Sequence, residues 1–350
     1  MTFGKPGAIM SLLLTPPSRL FGAVAKLRGH LYDSSAFEIV DTEVPVISIG
    51  NLTTGGTGKT PITSFLASFL ASKLTGRMKL AIVSRGYGAR EKGPAQVPND
   101  GSSKTAERFG DEPAWLAHRH PQIPVMIGGK RPESVEYLKT HTAFSQSVKR
   151  LILADDAFQH RRLKRNLDVV IIDATEPRWH YQPLPLGRMR EGFDALSRAH
   201  FVFLSKTNLG TREQLDWLHE QIKPYRARVI EFEAKITHFT NLNGDSPVPL
   251  PKRVVLASGI ARPQTFAQSV GEHATVVKHL VFQDHHAFTA QDLAEIETQA
   301  KDADAIVVTE KDAVKLGSWQ SRIPVYVSRL EAVPQSDLGD FLEAVDRLVR

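Results

Sequence analysis

The sequence contains no cysteine. That excludes disulfide bridges, a thiolate nucleophile and any zinc site built on sulfur. It also suits a reducing compartment. Long apolar runs are missing too: none nears the roughly 18 consecutive apolar residues of a membrane-spanning helix. The longest early run, Leu12-Leu13-Leu14, is stopped by Pro16-Pro17. The start lacks the basic segment and apolar core of a secretory signal, so export is not expected. No internal repeat or low-complexity tract is visible. Acids are missing from residues 1–32, which carry Lys5, Arg19, Lys26 and Arg28.

What is present is ordinary for a globular protein. The 350 residues are 41% hydrophobic and 23% charged, which excludes a disordered chain and predicts two domains or one large one. The formal net charge is +6. It is concentrated in residues 1–32 and in residues 130–165, where basic side chains outnumber acids, on an otherwise slightly acidic chain. No DNA-binding motif and no basic–aromatic interleaving accompanies it, so nucleic acid is not an expected partner. An anionic membrane surface or a phosphorylated substrate fits better.

After the prolines, Leu20, Phe21, Val24, Leu27 and Leu31 recur at helical spacing beside basic residues. Such a helix can dock on a core, or lie in a membrane interface with its apolar face down. From residue 44 onward, short apolar runs alternate with amphipathic stretches. Strands are expected at 44–49, 79–84, 124–127, 150–154, 168–172 and 200–205, with helices at 62–74, 112–118, 133–141 and 212–222. This is an α/β pattern of βαβ units on a parallel sheet. The Pro- and Gly-rich segment 176–192 reads as a long functional loop. A change of texture over 228–252 suggests a boundary, followed by strands at 253–258, 275–281, 305–309 and 324–328. The expected divisions are 1–33 for the N-terminal helix, 34–227 for a core, 228–252 for a linker and 253–350 for a second, smaller α/β lobe.

Gly50–Pro61 reads GNLTTGGTGKTP between an apolar strand and a helix. Glycines there let backbone N–H groups converge on phosphate oxygens at a helix N-terminus. Residues Thr53, Thr54, Gly55, Gly56, Thr57, Gly58, Lys59 and Thr60 would form the cradle, with Lys59 on the phosphates and the Thr60 hydroxyl on Mg²⁺. Thr53 stands where the usual spacing has glycine. Asp155 and Asp156 close an apolar strand, as metal-binding carboxylates do in P-loop enzymes. Asp111 precedes a helical stretch and can act as an N-cap or as a base. Ser205-Lys206-Thr207-Asn208 resembles a guanine-reading motif, but Asn208 cannot supply its carboxylate.

Together these motifs resemble the tetraacyldisaccharide 4′-kinases of lipid A biosynthesis. The resemblance rests on Gly50–Pro61, Ser84–Gly88 (SRGYG), Gly110–Pro113 (GDEP) and Asp155–His160 (DDAFQH). Ser258–Pro263 (SGIARP), Asp284–His286 (DHH) and Val308–Leu316 (VTEKDAVKL) extend it. It implies a P-loop core joined to a smaller α/β lobe by a β linker. It also implies transfer of the ATP γ-phosphoryl group to the 4′-hydroxyl of an acylated glucosamine disaccharide 1-phosphate. The enzyme would be peripheral on the cytoplasmic face of a Gram-negative inner membrane, and is expected to be a monomer. Carried over by residue, Asp111 is the base, assisted by His285 with His286 as the alternative. Lys59 and Thr60 hold phosphate and Mg²⁺, and Asp155 and Asp156 form the metal-side pair. Gln159, His160, Arg85 and Arg190 are candidate substrate contacts. Two positions depart from the family pattern. Ala157 replaces a glycine, and Leu184–Gly192 reads LPLGRMREG instead of roughly LPAGPLREP, which introduces Arg188. The rival readings are a membrane-associated P-loop switch or partitioning ATPase, and a kinase acting on a soluble small molecule.

Overall fold

The computed structural model describes residues 7–74, 76, 78–141, 144, 149–244, 246–284, 286–316 and 319–349. In chain order the first elements are α1 (Ala8–Asp33), β1 (Val46–Asn51), α2 (Lys59–Lys73), β2 (Lys79–Ser84) and β3 (Ala95–Gln96). Next come α3 (Ser103–Phe109), α4 (Asp111–Arg119), β4 (Val125–Ile127), α5 (Arg131–His141), β5 (Arg150–Asp155) and β6 (Leu167–Asp173). They are followed by β7 (Phe201–Ser205), α6 (Arg212–Ile222), β8 (Arg228–Asn241), β9 (Pro247–Val248), β10 (Arg253–Ser258) and α7 (Pro263–Gly271). The last are β11 (Thr275–Val281), α8 (Ala290–Gln299), β12 (Ala305–Thr309), α9 (Glu310–Ala313), β13 (Val325–Pro334) and α10 (Gly339–Leu348).

These elements form two compact units. The first comprises Met1–Arg85, Met126–Ala234 and Ala332–Arg350, and the second Gly86–Val125 and Lys235–Glu331. The units are therefore not contiguous in sequence. Residues 86–125 group with the C-terminal strands, and the last helix returns to the first unit. Strands β8 and β13 each contain residues of both.

In the first unit β1 is central. It runs parallel to β5, with Ile47 opposite Leu153, and to β6, with Ile47 opposite Leu167. Strand β2 lies beyond β5, and β7 and the start of β8 lie beyond β6, all parallel. Parallel strands need crossover connections and are covered on both faces, so they read as unbroken apolar runs. Leu52, Phe158, Val170, Leu204 and Leu218 belong to one core of this unit. Val44, Val83, Val135, Phe144 and Leu163 belong to another, which also takes in the departing residue Ala157. Truncating one of the buried leucines or phenylalanines to Ala costs about 2–5 kcal/mol.

In the second unit β10 lies between β11 and β12, with β13 beyond β12, all parallel. One of its cores includes Val255, Ile296, Ile306 and Val327. The other includes Ile236, Val254, Phe266 and Val307.

Helix α1 corrects an expectation. Pro16 and Pro17 do not end it; they lie inside a continuous 26-residue helix. The missing N–H groups remove the bonds that the Leu12 and Leu13 carbonyls would otherwise accept, and both residues are exposed. Contrary to the expectation from unbroken apolar runs, this helix is long and apolar enough on average, by length and composition alone, to pass as a membrane span. It packs through a narrow stripe. The Ser18 hydroxyl donates to the Pro183 carbonyl at 2.7 Å, and a methyl on Gly22 would stand 3.4 Å from the Pro183 ring. Arg161 donates to the Gly29 carbonyl at 2.7 Å and to Asp33 at 2.6 Å. The expected apolar stripe faces the other way: Leu20, Phe21, Val24 and Leu27 are exposed.

The basic stretch 130–165 is also less free than its count suggests. Arg161, Arg162 and Lys164 pair with Asp33, at the end of α1, and with Glu38 and Asp41 just beyond it. Arg165 pairs with Asp168.

Candidate active site

The phosphate-loop sequence adopts the conformation that its glycines permit. Gly55 has φ +108° and Gly58 φ +84°, values that L side chains rarely adopt. Gly58 is the N-cap of α2, and its carbonyl accepts the first helical bond from Ile62. The Asn51 side chain donates to the Thr53 carbonyl and, at 2.9 Å, to the Thr57 hydroxyl, closing the loop from inside. Thr53, Thr57 and Thr60 are buried, whereas Gly55 is exposed at the tip.

Two flanking segments brace this loop. The Thr54 N–H donates to the Arg188 carbonyl at 2.8 Å, and the Arg190 N–H donates to the Leu52 carbonyl at 2.7 Å. The long loop 176–192 is thus tied to the phosphate loop by its backbone. From the end of β7, the Ser205 hydroxyl donates to the Thr57 carbonyl at 2.8 Å. Lys206 donates to the Gly56 carbonyl at 2.9 Å and to Asp173 at 2.7 Å. The motif that resembles a guanine reader therefore supports the loop. Asn208 is engaged with the Ala234 backbone at 2.9 and 3.1 Å.

The strand-end carboxylates divide their work. Asp155 is buried and accepts from Thr63 at 3.0 Å and Ser84 at 3.3 Å. Asp156, in the left-handed region at φ +48°, turns toward Lys59 at 3.5 Å and Arg190 at 3.0 Å. Burial pushes its carboxyl up, but Lys59, Arg190 and Arg131 outweigh that and hold it at about 2. Arg131, which sequence reasoning did not single out, is buried and donates to the carbonyls of both Asp155 and Asp156.

The oxygen set of Thr60, Asp155 and Asp156 suits Mg²⁺, a hard cation that takes one or two carboxylates, substrate phosphates and waters. Among the described residues no three His, Asp or Glu gather as an all-protein metal cage.

Gln159 donates to the Asn51 carbonyl at 2.9 Å and to Glu191 at 3.1 Å. His160 is kept neutral, its pKa lowered to about 4 by burial and by Arg131, Arg165, Arg28 and Arg85. The same residues make its surroundings strongly cationic, with Arg85 exposed.

Asp111, in the second unit, is the first residue of α4 rather than its cap. The cap is Gly110, at φ +94°, where a methyl would stand 2.9 Å from the Tyr87 carbonyl. Asp111 pairs with Lys315 at 2.9 Å, and Lys315 lies 3.7 Å from Asp312. Asp312 is buried and accepts from the Gly259 N–H and the Thr309 hydroxyl. The VTEKDAVKL segment thus carries the partner of the expected base. Of the histidine pair, His285 lies outside the described residues. His286 is 2.9 Å from Asp292 through Nε2 and stacks on Phe282. Asp292 also closes the capping box of α8, so His286 is bound to local structure.

Comparison with known proteins agrees with these motifs. The profile of the tetraacyldisaccharide-1-P 4′-kinase family matches residues 10–348. The tetraacyldisaccharide 4′-kinase of Bdellovibrio bacteriovorus is 37% identical over 349 residues, covering 97% of this chain and all of that one. That of an Anaeromyxobacter species is 38% identical, covering 89% of this chain and 83% of its own. The solved structure of LpxK from Aquifex aeolicus, in complex with ATP, superposes with a TM-score of 0.75 at 24% identity. It covers 97% of this chain and 99% of its own, and supports the fold. The chain belongs to the tetraacyldisaccharide-1-phosphate 4′-kinase family.

Proposed function

We propose that the protein uses ATP to phosphorylate the 4′-hydroxyl of a tetraacylated glucosamine disaccharide 1-phosphate, a step of lipid A biosynthesis. The observation that carries the reading is the ordered glycine loop whose Lys59 faces the ionised Asp156 at 3.5 Å. Backbone N–H groups and the N-terminus of α2 hold the phosphates, and Lys59 supplies a fixed positive charge. Asp111 accepts the proton of the acceptor hydroxyl as the new P–O bond forms, with His285 or His286 as its assistant. When bound, Mg²⁺ neutralises phosphate charge; Thr60, Asp155 and Asp156 would hold it. Arg85, Gln159, His160 and Arg190 are the proposed contacts for the sugar and its phosphate.

The exposed stripe of α1, continued by exposed Phe37 and Ile39, supports docking on a membrane. The Ser18, Gly29 and Asp33 contacts clamp the opposite face to the first unit. The enzyme then works as a peripheral monomer on the cytoplasmic face of the bacterial inner membrane, where its lipid substrate resides.

The test is incubation with γ-labelled ATP, Mg²⁺ and the monophosphorylated lipid acceptor. One label per acceptor at the 4′ position is expected. Label released only as inorganic phosphate, at a rate indifferent to the lipid, overturns the reading in favour of a switch-type ATPase.

A further inference from the structure

The long loop 176–192 contains a cation that the resemblance leaves without a role. Arg188 is fixed at its backbone: its N–H donates to the His180 carbonyl at 2.8 Å, and its own carbonyl accepts from Thr54 at 2.8 Å. Its side chain is 24% exposed and reaches over the tip of the phosphate loop. A methyl built on Gly55 would stand 3.2 Å from Nη1. The nearest carboxylate, Glu176 Oε1, is 4.0 Å away, close enough to hold the charge in place but too far to bond it. Among the described residues, no acceptor takes a hydrogen bond from the Arg188 guanidinium. A planar cation with five donors therefore stands unspent over the tip of the phosphate loop.

We propose that Arg188 is a catalytic residue that contacts the transferring phosphoryl group, an arginine finger supplied by the enzyme's own chain. During transfer the bond from the γ-phosphorus to the β,γ-bridging oxygen breaks as the bond to the acceptor oxygen forms. Negative charge spreads over the equatorial oxygens and builds on the bridging oxygen. A guanidinium whose main chain is bonded to Thr54 meets that charge with little reorganisation, because its backbone is already part of the loop's frame. A methyl at Gly55 would crowd the guanidinium, and φ +108° there already favours glycine. Burial lowers the Arg188 pKa from its ordinary value without threatening the charge near neutrality.

The inference rests on reading the loop as an ATP phosphate site. Its test separates the two. Full-length Arg188→Ala and Arg188→Lys variants are compared with the parent for lipid phosphorylation, for ATP and ADP binding, and for capture of ADP with aluminium fluoride. That complex mimics the phosphoryl group in flight and needs no acceptor lipid. Expected for Arg188→Ala is a kcat fall of about 100-fold or more, an ATP KM within about threefold, and loss of the aluminium fluoride complex. Lys should restore about a tenth of the rate, as a charge without the fork. A kcat within twofold of the parent, or equal loss of ATP and ADP affinity with kcat intact, overturns the proposal. If the parent binds ATP and captures aluminium fluoride but labels no lipid, the lipid-kinase reading fails while the Arg188 result still stands or falls on the capture. If the parent does not bind ATP, both fail.

Discussion

The Lys59 ammonium lies 3.5 Å from the Asp156 carboxylate, and Arg190 approaches the same carboxylate at 3.0 Å. The two cations keep Asp156 ionised despite burial, with its pKa at about 2. Lys59→Ala is expected to abolish measurable phosphoryl transfer, a loss of about 1,000-fold or more, because the phosphates lose their fixed charge and Asp156 loses a partner. Thermal melting of the same variant should stay cooperative, which separates lost chemistry from lost folding. Asp156 cannot supply an acid limb in the pH–rate profile near neutrality. Its lowered pKa contributes stability above the ordinary value of 3.8, lost as pH falls toward about 2.

The buried pair of Lys206 and Asp173 joins the end of β7 to the end of β6 and to the phosphate loop. Lys206→Met leaves the Asp173 charge buried with its ion pair broken, and should destabilise the protein by about 3–5 kcal/mol. ATP affinity should fall along with it, since the Gly56 carbonyl loses its anchor. Lys206→Met combined with Asp173→Asn should recover much of the melting temperature without recovering the affinity. Equal recovery of both would show that Lys206 acts through stability alone.

Lys315 holds Asp111 at 2.9 Å, within the second unit. Asp111→Asn is expected to lower kcat by about 100-fold or more, since an amide cannot accept the hydroxyl proton. Lys315→Met should lower kcat less, and should displace the acid limb of the pH–rate profile upward, because the neighbouring cation that favours the carboxylate is gone. An unmoved limb would place Lys315 outside the proton-transfer machinery.

Much of this arrangement was legible in sequence because its signals are local. Buried parallel strands are continuous apolar runs, so the bounds of β2, β10, β11 and β12 match the expected spans. A phosphate loop is a backbone device whose glycines are adjacent in the chain. Helix α3 was not expected: Ser103–Phe109 is short, largely polar and without strong periodicity. The continuity of α1 through Pro16-Pro17 was hidden for a different reason. An exposed helix tolerates two missing bonds that a local rule treats as a stop. Pairings across the fold left no local trace. Nothing near Lys206 points to Asp173, nor anything near Lys315 to Asp111. The apparent excess of charge over 130–165 dissolves only when Asp33, Glu38 and Asp41 are brought beside it.

His120 and His160 are held neutral by burial, each with its pKa lowered to about 4 from an ordinary 6.5. Below pH 6.5 the unfolded chain takes up protons that the folded chain refuses, so stability falls as pH drops toward 4 and is flat above 6.5. The loss should reach about 3 kcal/mol per histidine at the low end. His160→Gln should flatten the dependence of melting temperature on pH between 6.5 and 4.5. An unchanged slope would mean that His160 titrates normally.

Helix α1 presents two faces with opposite duties, and substitutions on each should therefore fail differently. The small face, Ser18, Gly22 and Gly29, lies against Pro183 and Arg161. The large face, with Leu20, Val24 and Leu27, is exposed. Replacing Leu20, Val24 and Leu27 together with Gln removes apolar area that contributes roughly 1.5–3 kcal/mol per side chain when fully buried. Binding to vesicles containing anionic lipid should fall at least about tenfold by sedimentation, with melting temperature little changed because all three side chains are largely exposed. Gly22→Leu, in contrast, drives a side chain into the Pro183 ring. It should lower the melting temperature and disturb the loop that carries Arg188 and Arg190, raising the KM for ATP while leaving the exposed stripe intact. If the triple Gln variant binds vesicles as the parent does, the exposed stripe is not the membrane contact.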